Sequence, residues 1–203
     1  MSDADQDAQH REKMKAVQAE HRAKMKEKKR AEGGLLLVYT GNGKGKSTSA
    51  FGTVIRALGW GHSVAVVQYI KGTWKTGERE FFARFPDLLT WHAMGEGFTW
   101  DTQDRQRDIA AAQKAWEAAQ AMMADESFHM VVLDELNIVL RYDYLDLDAV
   151  VAALSGRRPD LHVVVTGRNA KAPLLEIADL VTEMTEIRHH FRDGVKAQTG
   201  IEF

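Results

Sequence analysis

From residue 35 onward, apolar positions fall in short unbroken runs set between segments of helical spacing. Residues 35–39 (LLLVY), 63–70 (SVAVVQYI), 129–133 (HMVVL) and 161–166 (LHVVVT) are runs of strand length, rich in Val and Leu. They show little of the period-two alternation of a strand with one wet face. A strand apolar on both faces is buried on both, as in a parallel sheet covered by helices on either side. Residues 88–94 and 180–187 read as two further strands, the second of them long. Between these runs, residues 48–58 read as a helix closed by Gly59 and Gly61. Residues 78–85, 147–154 and 173–178 give shorter helices, and Asp101 or Thr102 can cap a long one ending near residue 124. Strands alternating with helices predict an α/β fold, a parallel sheet flanked by helices with right-handed crossovers.

Residues 1–32 break the pattern. They contain almost no large aliphatic residues and many Lys, Arg, Glu and Ala. Met14, Val17, His21 and Met25 recur at spacings of three and four, a thin stripe on good helix formers. The expectation is an N-terminal helical or disordered arm over residues 1–32 and one domain over residues 33–203.

Composition narrows the field. The formal charge of −2 gives no basic field for nucleic acid. The chain has no cysteine, which removes disulfides, thiolate metal sites and a Cys nucleophile. No apolar run approaches the ~20 residues of a membrane span, and the charged N-terminus lacks the apolar stretch of a signal peptide. A cytoplasmic protein is expected.

In open parallel sheets, ligands bind beyond the carboxyl ends of the strands. The unusual segments of this chain lie there. TGNGKGKST, residues 40–48, follows the first strand and opens a helix. Its end, Gly45-Lys46-Ser47, fits the G-x-x-x-x-G-K-[ST] phosphate loop, but Thr40 stands where the first glycine belongs, and Gly41 comes one step late. Glycines let backbone amides face anionic oxygens, and the helix adds its positive end. Gly41, Asn42, Gly43, Lys44, Gly45, Lys46, Ser47 and Thr48 are therefore candidate ligands of a nucleoside triphosphate. Lys46 would supply the main cation and Ser47 a hydroxyl for magnesium. Lys44 is either a second phosphate ligand or a solvated loop lysine. Asp134 and Glu135 end the apolar run at 129–133, in the manner of a Walker B strand, and are candidate magnesium ligands. Glu135 could instead orient a water. GEGFTWD, residues 95–101, places Phe98 and Trp100 on a glycine-flanked loop, either against a ligand or as a clasp on the core; Trp74 raises the same question. No nucleophile motif is present. A triphosphate cradle without one requires water, a substrate hydroxyl or a cofactor to attack.

Taken in order, TGNGKGKSTSAFG, VVQYIKGTWKTGERE, GFTWDTQDR, MVVLDELN with YDYL, VVVTGRN and GVKAQTGIEF resemble the ATP:corrinoid adenosyltransferases. The resemblance runs from about Gly34 to Phe203. It implies a P-loop NTPase-like fold on which cobalt(I) of a reduced corrinoid attacks the 5′ carbon of ATP and triphosphate leaves, with ATP reversed relative to the usual direction. It implies ATP as co-substrate, Mg2+, Lys46 and Glu135 as catalytic residues, and Phe98 and Trp100 at the corrinoid. It further implies a homodimer, a flavin-type reductant or reductase, and a role for the N-terminal arm over the corrinoid site. The rival readings are a P-loop kinase or ATPase acting at the terminal phosphate, and an ATP-gated corrinoid carrier.

If Phe98 and Trp100 displace the lower axial ligand of cobalt(II) and so ease its reduction, replacing either with Ala should slow turnover when reduction occurs on the enzyme. Activity should largely recover when cobalt(I) is supplied ready-made. Equal losses in the two assays, or an unchanged spectrum of bound four-coordinate cobalt(II), would remove that role.

Overall fold

The computed structural model describes residues 3–28, 33–70, 75–93 and 104–202. The chain divides into two units, Met1–Glu32 and Gly33–Phe203. The first is one helix, α1 (Asp3–Glu27), exposed along its described length. Its pairs Lys15–Glu12 and Lys24–Glu20, three and four residues apart, are surface ion pairs that support a helix by a few tenths of a kcal/mol each.

The second unit holds six parallel strands: β1 (Leu36–Thr40), β2 (Val64–Gln68), β3 (Leu89–Ala93), β4 (Met130–Asp134), β5 (His162–Thr166) and β6 (Leu180–Glu183). They lie in the order β3-β2-β4-β5-β1-β6. The continuous apolar runs have the expected consequence, because β1, β2, β4 and β5 each feed two cores. Leu36, Val38, Val131, Leu133, Val163 and Val165 face one side; Met130, Val132 and Val164 face the other. The first side is covered by α4 (Arg105–Ala124), α5 (Leu136–Arg141), α6 (Leu147–Ser155) and α7 (Ala172–Glu176). From α4, Ala112, Ala115, Trp116, Ala119 and Met123 form a stripe at helical spacing. The second side is covered by α2 (Lys46–Gly59) and α3 (Gly77–Phe82), with Phe51 and Phe82 packed around Trp91 of β3.

Several elements depart from expectation, and four of the departures have a reason visible in the structure. Helix α2 starts inside the glycine loop, because Gly45 at φ 104 serves as its N-cap. Helix α4 is capped by Asp104, whose carboxylate accepts from the Arg107 amide at 3.2 Å; residues 101–103 lie outside the described residues. Helix α5 was not anticipated, since its six apolar-rich residues follow β4 after one turn residue and look like more strand. Strand β6 stops at Glu183 rather than running to 187, because its backbone turns to follow the glycine loop. The Met184 amide donates to the Thr40 carbonyl at 2.8 Å, and the Met184 carbonyl accepts from the Gly43 amide at 2.7 Å.

That close approach makes two glycines behave oppositely. A Cβ on Gly41, at φ +95, would lie 2.4 Å from the Met184 carbonyl oxygen, whereas one on Gly52 in α2 meets nothing within 4 Å. Gly41→Ala should destabilise by roughly 2–5 kcal/mol through backbone strain and overpacking. Gly52→Ala should stabilise by up to about 1 kcal/mol. Urea denaturation of the two variants checks this, and equal effects would contradict the packing described.

Candidate functional site

The carboxyl ends of the four central strands finish level. Tyr39 pairs in register with Thr166, Leu133 with Val165, and Gln68 with Asp134. The loops leaving β1, β4 and β5 therefore emerge side by side, and their polar residues meet.

Asp134 is the anchor of this rim. Its side chain is fully buried, so an ionised carboxylate must find hydrogen bonds within the protein. Thr166 donates its hydroxyl to Oδ1 at 2.8 Å, and Gln68 donates Nε2 to Oδ2 at 2.9 Å. The same Thr166 oxygen accepts from the Glu135 amide at 2.9 Å. That bond holds Glu135 at φ 64, in the left-handed region, where a non-glycine residue is uncommon. The bend starts α5 at once and leaves the Glu135 side chain half-buried at the rim. Opposite it, Gly167 sits at φ +127; a Cβ there would press on Asn137 at 2.8 Å and lie 3.2 Å from Glu135 Oε2. Asn137, fully buried, donates Nδ2 to the Gly167 carbonyl at 3.0 Å and fixes the two loops together.

The glycine loop lies beside this network. Gly41 and Gly43 are buried, Gly45 is half-buried, and Asn42, Lys44 and Thr48 are exposed. Lys46 is 7% exposed, and its ammonium donates to the Gly43 carbonyl at 2.5 Å, across the mouth of the loop. Burial pushes the Lys46 pKa down; the negative charge of Glu135 opposes that shift, and Arg168 and Lys44 reinforce it. Lys44, Lys46, Arg168 and Glu135 are thus electrostatic neighbours. Ser47, half-buried, is the second residue of α2, where the helix presents its positive end. Thr40, the departure from the usual loop pattern, is buried, and its Oγ1 accepts from the Ala170 amide at 3.0 Å. A glycine could not make that bond.

The structure therefore gathers the loop residues 41–48, Asp134 and Glu135 at one rim. Phe98 and Trp100, like Trp74, lie outside the described residues. Thr166, Gln68, Asn137 and Arg168 were not singled out from the sequence; the segments QYIKGTW and TGRN contain three of them, but nothing marked which side chain turns inward. The arrangement concentrates positive charge and helix-end amides at the glycine loop, a setting suited to a polyphosphate. Among the described residues, no group of three or more His, Asp or Glu could hold a metal by itself. Magnesium ordinarily takes one or two carboxylates and shares the rest with phosphates and water, and Ser47 and Glu135, backed by Asp134, suit that need.

The family model for the ATP:corrinoid adenosyltransferases BtuR/CobO/CobP matches residues 32–203. The corrinoid adenosyltransferase of Pseudomonas aeruginosa is 54% identical over 199 residues, 98% of each chain. That of Escherichia coli K12 is 49% identical over 172 residues, 85% of this chain and 87% of the other. Among solved structures, the flagellar accessory protein FlaH from Methanocaldococcus jannaschii aligns over 74% of this chain and 71% of its own, with 13% identity and a TM-score of 0.48.

Thr166 should be the most sensitive member of the network without itself being charged. Thr166→Val keeps the shape but leaves Asp134 Oδ1 and the Glu135 amide each short of a bond, at roughly 1–3 kcal/mol per buried group. Denaturation should show a loss of about 2–6 kcal/mol, with Thr166→Ser close to wild type. A Val variant as stable as the Ser variant would contradict the network.

Proposed function

The chain belongs to the ATP:corrinoid adenosyltransferase family, and from that premise we propose how its rim performs the transfer. It is an enzyme that moves the adenosyl group of ATP to a corrinoid in cobalamin metabolism. The proposal is that residues 41–48 cradle the triphosphate, with Lys46 as the principal cation, and that the reaction occurs at the other end of the nucleotide. The observation that carries it is the buried Lys46 ammonium held across the loop, next to Glu135, in a chain with no cysteine.

The substrate's own cobalt(I) supplies the nucleophile. A bond forms between cobalt and the 5′ carbon, the bond from that carbon to oxygen breaks, and its electron pair leaves with the triphosphate. No proton has to be taken or given at the reacting carbon, so no general base is needed. What the protein must do is align the attack and stabilise the charge that develops on the leaving group. Lys46, the amides at the start of α2 and the exposed Lys44 serve the second task. Magnesium, held by Ser47 and Glu135 with Asp134 behind them, would neutralise further charge on the phosphates.

The remaining roles belong to the same reading. Phe98 and Trp100 contact the corrinoid, a flavin-type reductant or reductase delivers the electron, and the enzyme is a cytoplasmic homodimer. Ile187, Phe191 and Ile201 are each strongly exposed, apolar surface of the kind that a partner subunit covers. No helix among the described residues is long and apolar enough to cross a membrane.

Incubation with ATP, magnesium and chemically reduced cobalamin should yield inorganic triphosphate and no ADP; ADP would instead support phosphoryl transfer. Lys46→Ala should lower kcat/KM by about 10- to 150-fold for each charge-assisted bond lost, even when cobalt(I) is supplied. Near-wild-type turnover in that variant would remove the cradle.

A further inference from the structure

The C-terminal segment GVKAQTGIEF matches the family, yet nothing so far gives it work to do. After β6, the chain runs through a 3-10 turn (His190–Asp193) and returns in a turn where the amides of Ile201 and Glu202 both donate to the Gln198 carbonyl, at 3.1 and 2.9 Å. This brings Glu202 to the glycine loop. Its Oε2 accepts from Lys44 Nζ at 2.8 Å, and its Oε1 lies 2.6 Å from His190 Nε2. The Glu202 side chain is 14% exposed, while Lys44 is 56% exposed. The Lys44 hydrogen bond is the main cause holding the Glu202 carboxyl below its ordinary range, so the group is ionised at neutral pH.

A lysine on an open loop has several flexible torsions, and ordering them on binding an anion costs entropy. Here the side chain is already held by a carboxylate. An ammonium has three protons; Glu202 takes one, and the exposed side leaves the others for a second anion. The lysine–glutamate pair of protein kinases works in this way, with one ammonium shared between a carboxylate and the phosphates. We propose that Glu202 is a positioning residue for ATP: it fixes Lys44 toward the triphosphate and ties the C-terminal segment to the glycine loop. The proposal rests on the reading of residues 41–48 as the triphosphate cradle. It makes Lys44 more than a solvated loop lysine, and it makes the end of the chain part of the nucleotide site.

Calorimetry with inorganic tripolyphosphate, the leaving group itself, reads the effect directly, with steady-state kinetics alongside. Glu202→Gln, of equal size, should raise the tripolyphosphate Kd and the KM for ATP roughly three- to fivefold, the range of a partly exposed ion pair. It should leave kcat with saturating ATP within about twofold, because the residue acts on binding. In a Lys44→Ala background, Glu202→Gln should have no further effect, which identifies the pair as coupled. Unchanged or tighter binding in Glu202→Gln would overturn the proposal, as would the same loss with and without Lys44. If Lys46→Ala also bound tripolyphosphate normally, the cradle reading would fail, and the proposal with it. That outcome is distinct from a failure of Glu202 alone. Matching thermal melts of the variants and the parent would exclude a general loss of fold.

Discussion

The carboxylate of Asp134 is fully enclosed by the sheet and its loops. An ionised group in that position is tolerated when its hydrogen bonds are met, and it is strongly destabilising otherwise. Meeting them organises the site. One bond comes from Gln68 on β2 and the other from Thr166 on β5, so three strand ends are drawn to a common level. Thr166 then takes the Glu135 amide, which forces the left-handed turn and starts α5 without a connecting loop. The half-buried position of Glu135, and hence the charge facing Lys46, follows from the way a neighbouring acid is satisfied.

The glycine loop has a parallel history. Glycine-rich phosphate loops are usually explained by the ligand, whose oxygens need bare backbone amides. Here the surrounding chain also demands glycine. Met184 and Thr185 run so close that side chains at positions 41 and 43 would collide with their backbone. Bonds from Met184 hold the loop to the edge of the sheet, and Thr40 ties it to the segment after β5. The displaced first glycine is thus explained by packing: position 40 ends a strand and needs a hydroxyl, and position 41 makes the turn.

Much of the fold was legible because strands buried on both faces leave runs that few other structures need. The long helix ending near residue 124 was legible too, though with its cap expected at Asp101 or Thr102 rather than Asp104, and so was the order of strands and helices. What escaped depends on contacts distant in sequence. Helix α5 is short and apolar, so no period separates it from β4, and its existence rests on the Thr166 bond to Glu135. The early end of β6 rests on the glycine loop some 140 residues earlier in the chain. At the site, the loop and the Asp134-Glu135 pair carry local patterns and stood out. Thr166, Gln68 and Glu202 are ordinary residues in the sequence, given their roles by the neighbours that folding brings to them.

If Lys46 holds the triphosphate as proposed, it shows why such a rim suits transfer to cobalt(I) without acid–base chemistry. Burial alone would favour the neutral amine, so the lysine pKa is lowered. Glu135 works against that shift and helps to keep the charge in the free enzyme. A bound triphosphate would work in the same direction, with several charges in place of one. The lowered folded value means that the charge is lost on the alkaline side sooner than for an ordinary lysine. Anion binding would move that loss upward again. On the reading proposed above, a leaving group held there meets a field that needs no rearrangement. On that reading the protein's task at this rim is to hold charges in fixed places, and the network around Asp134 does so for Glu135.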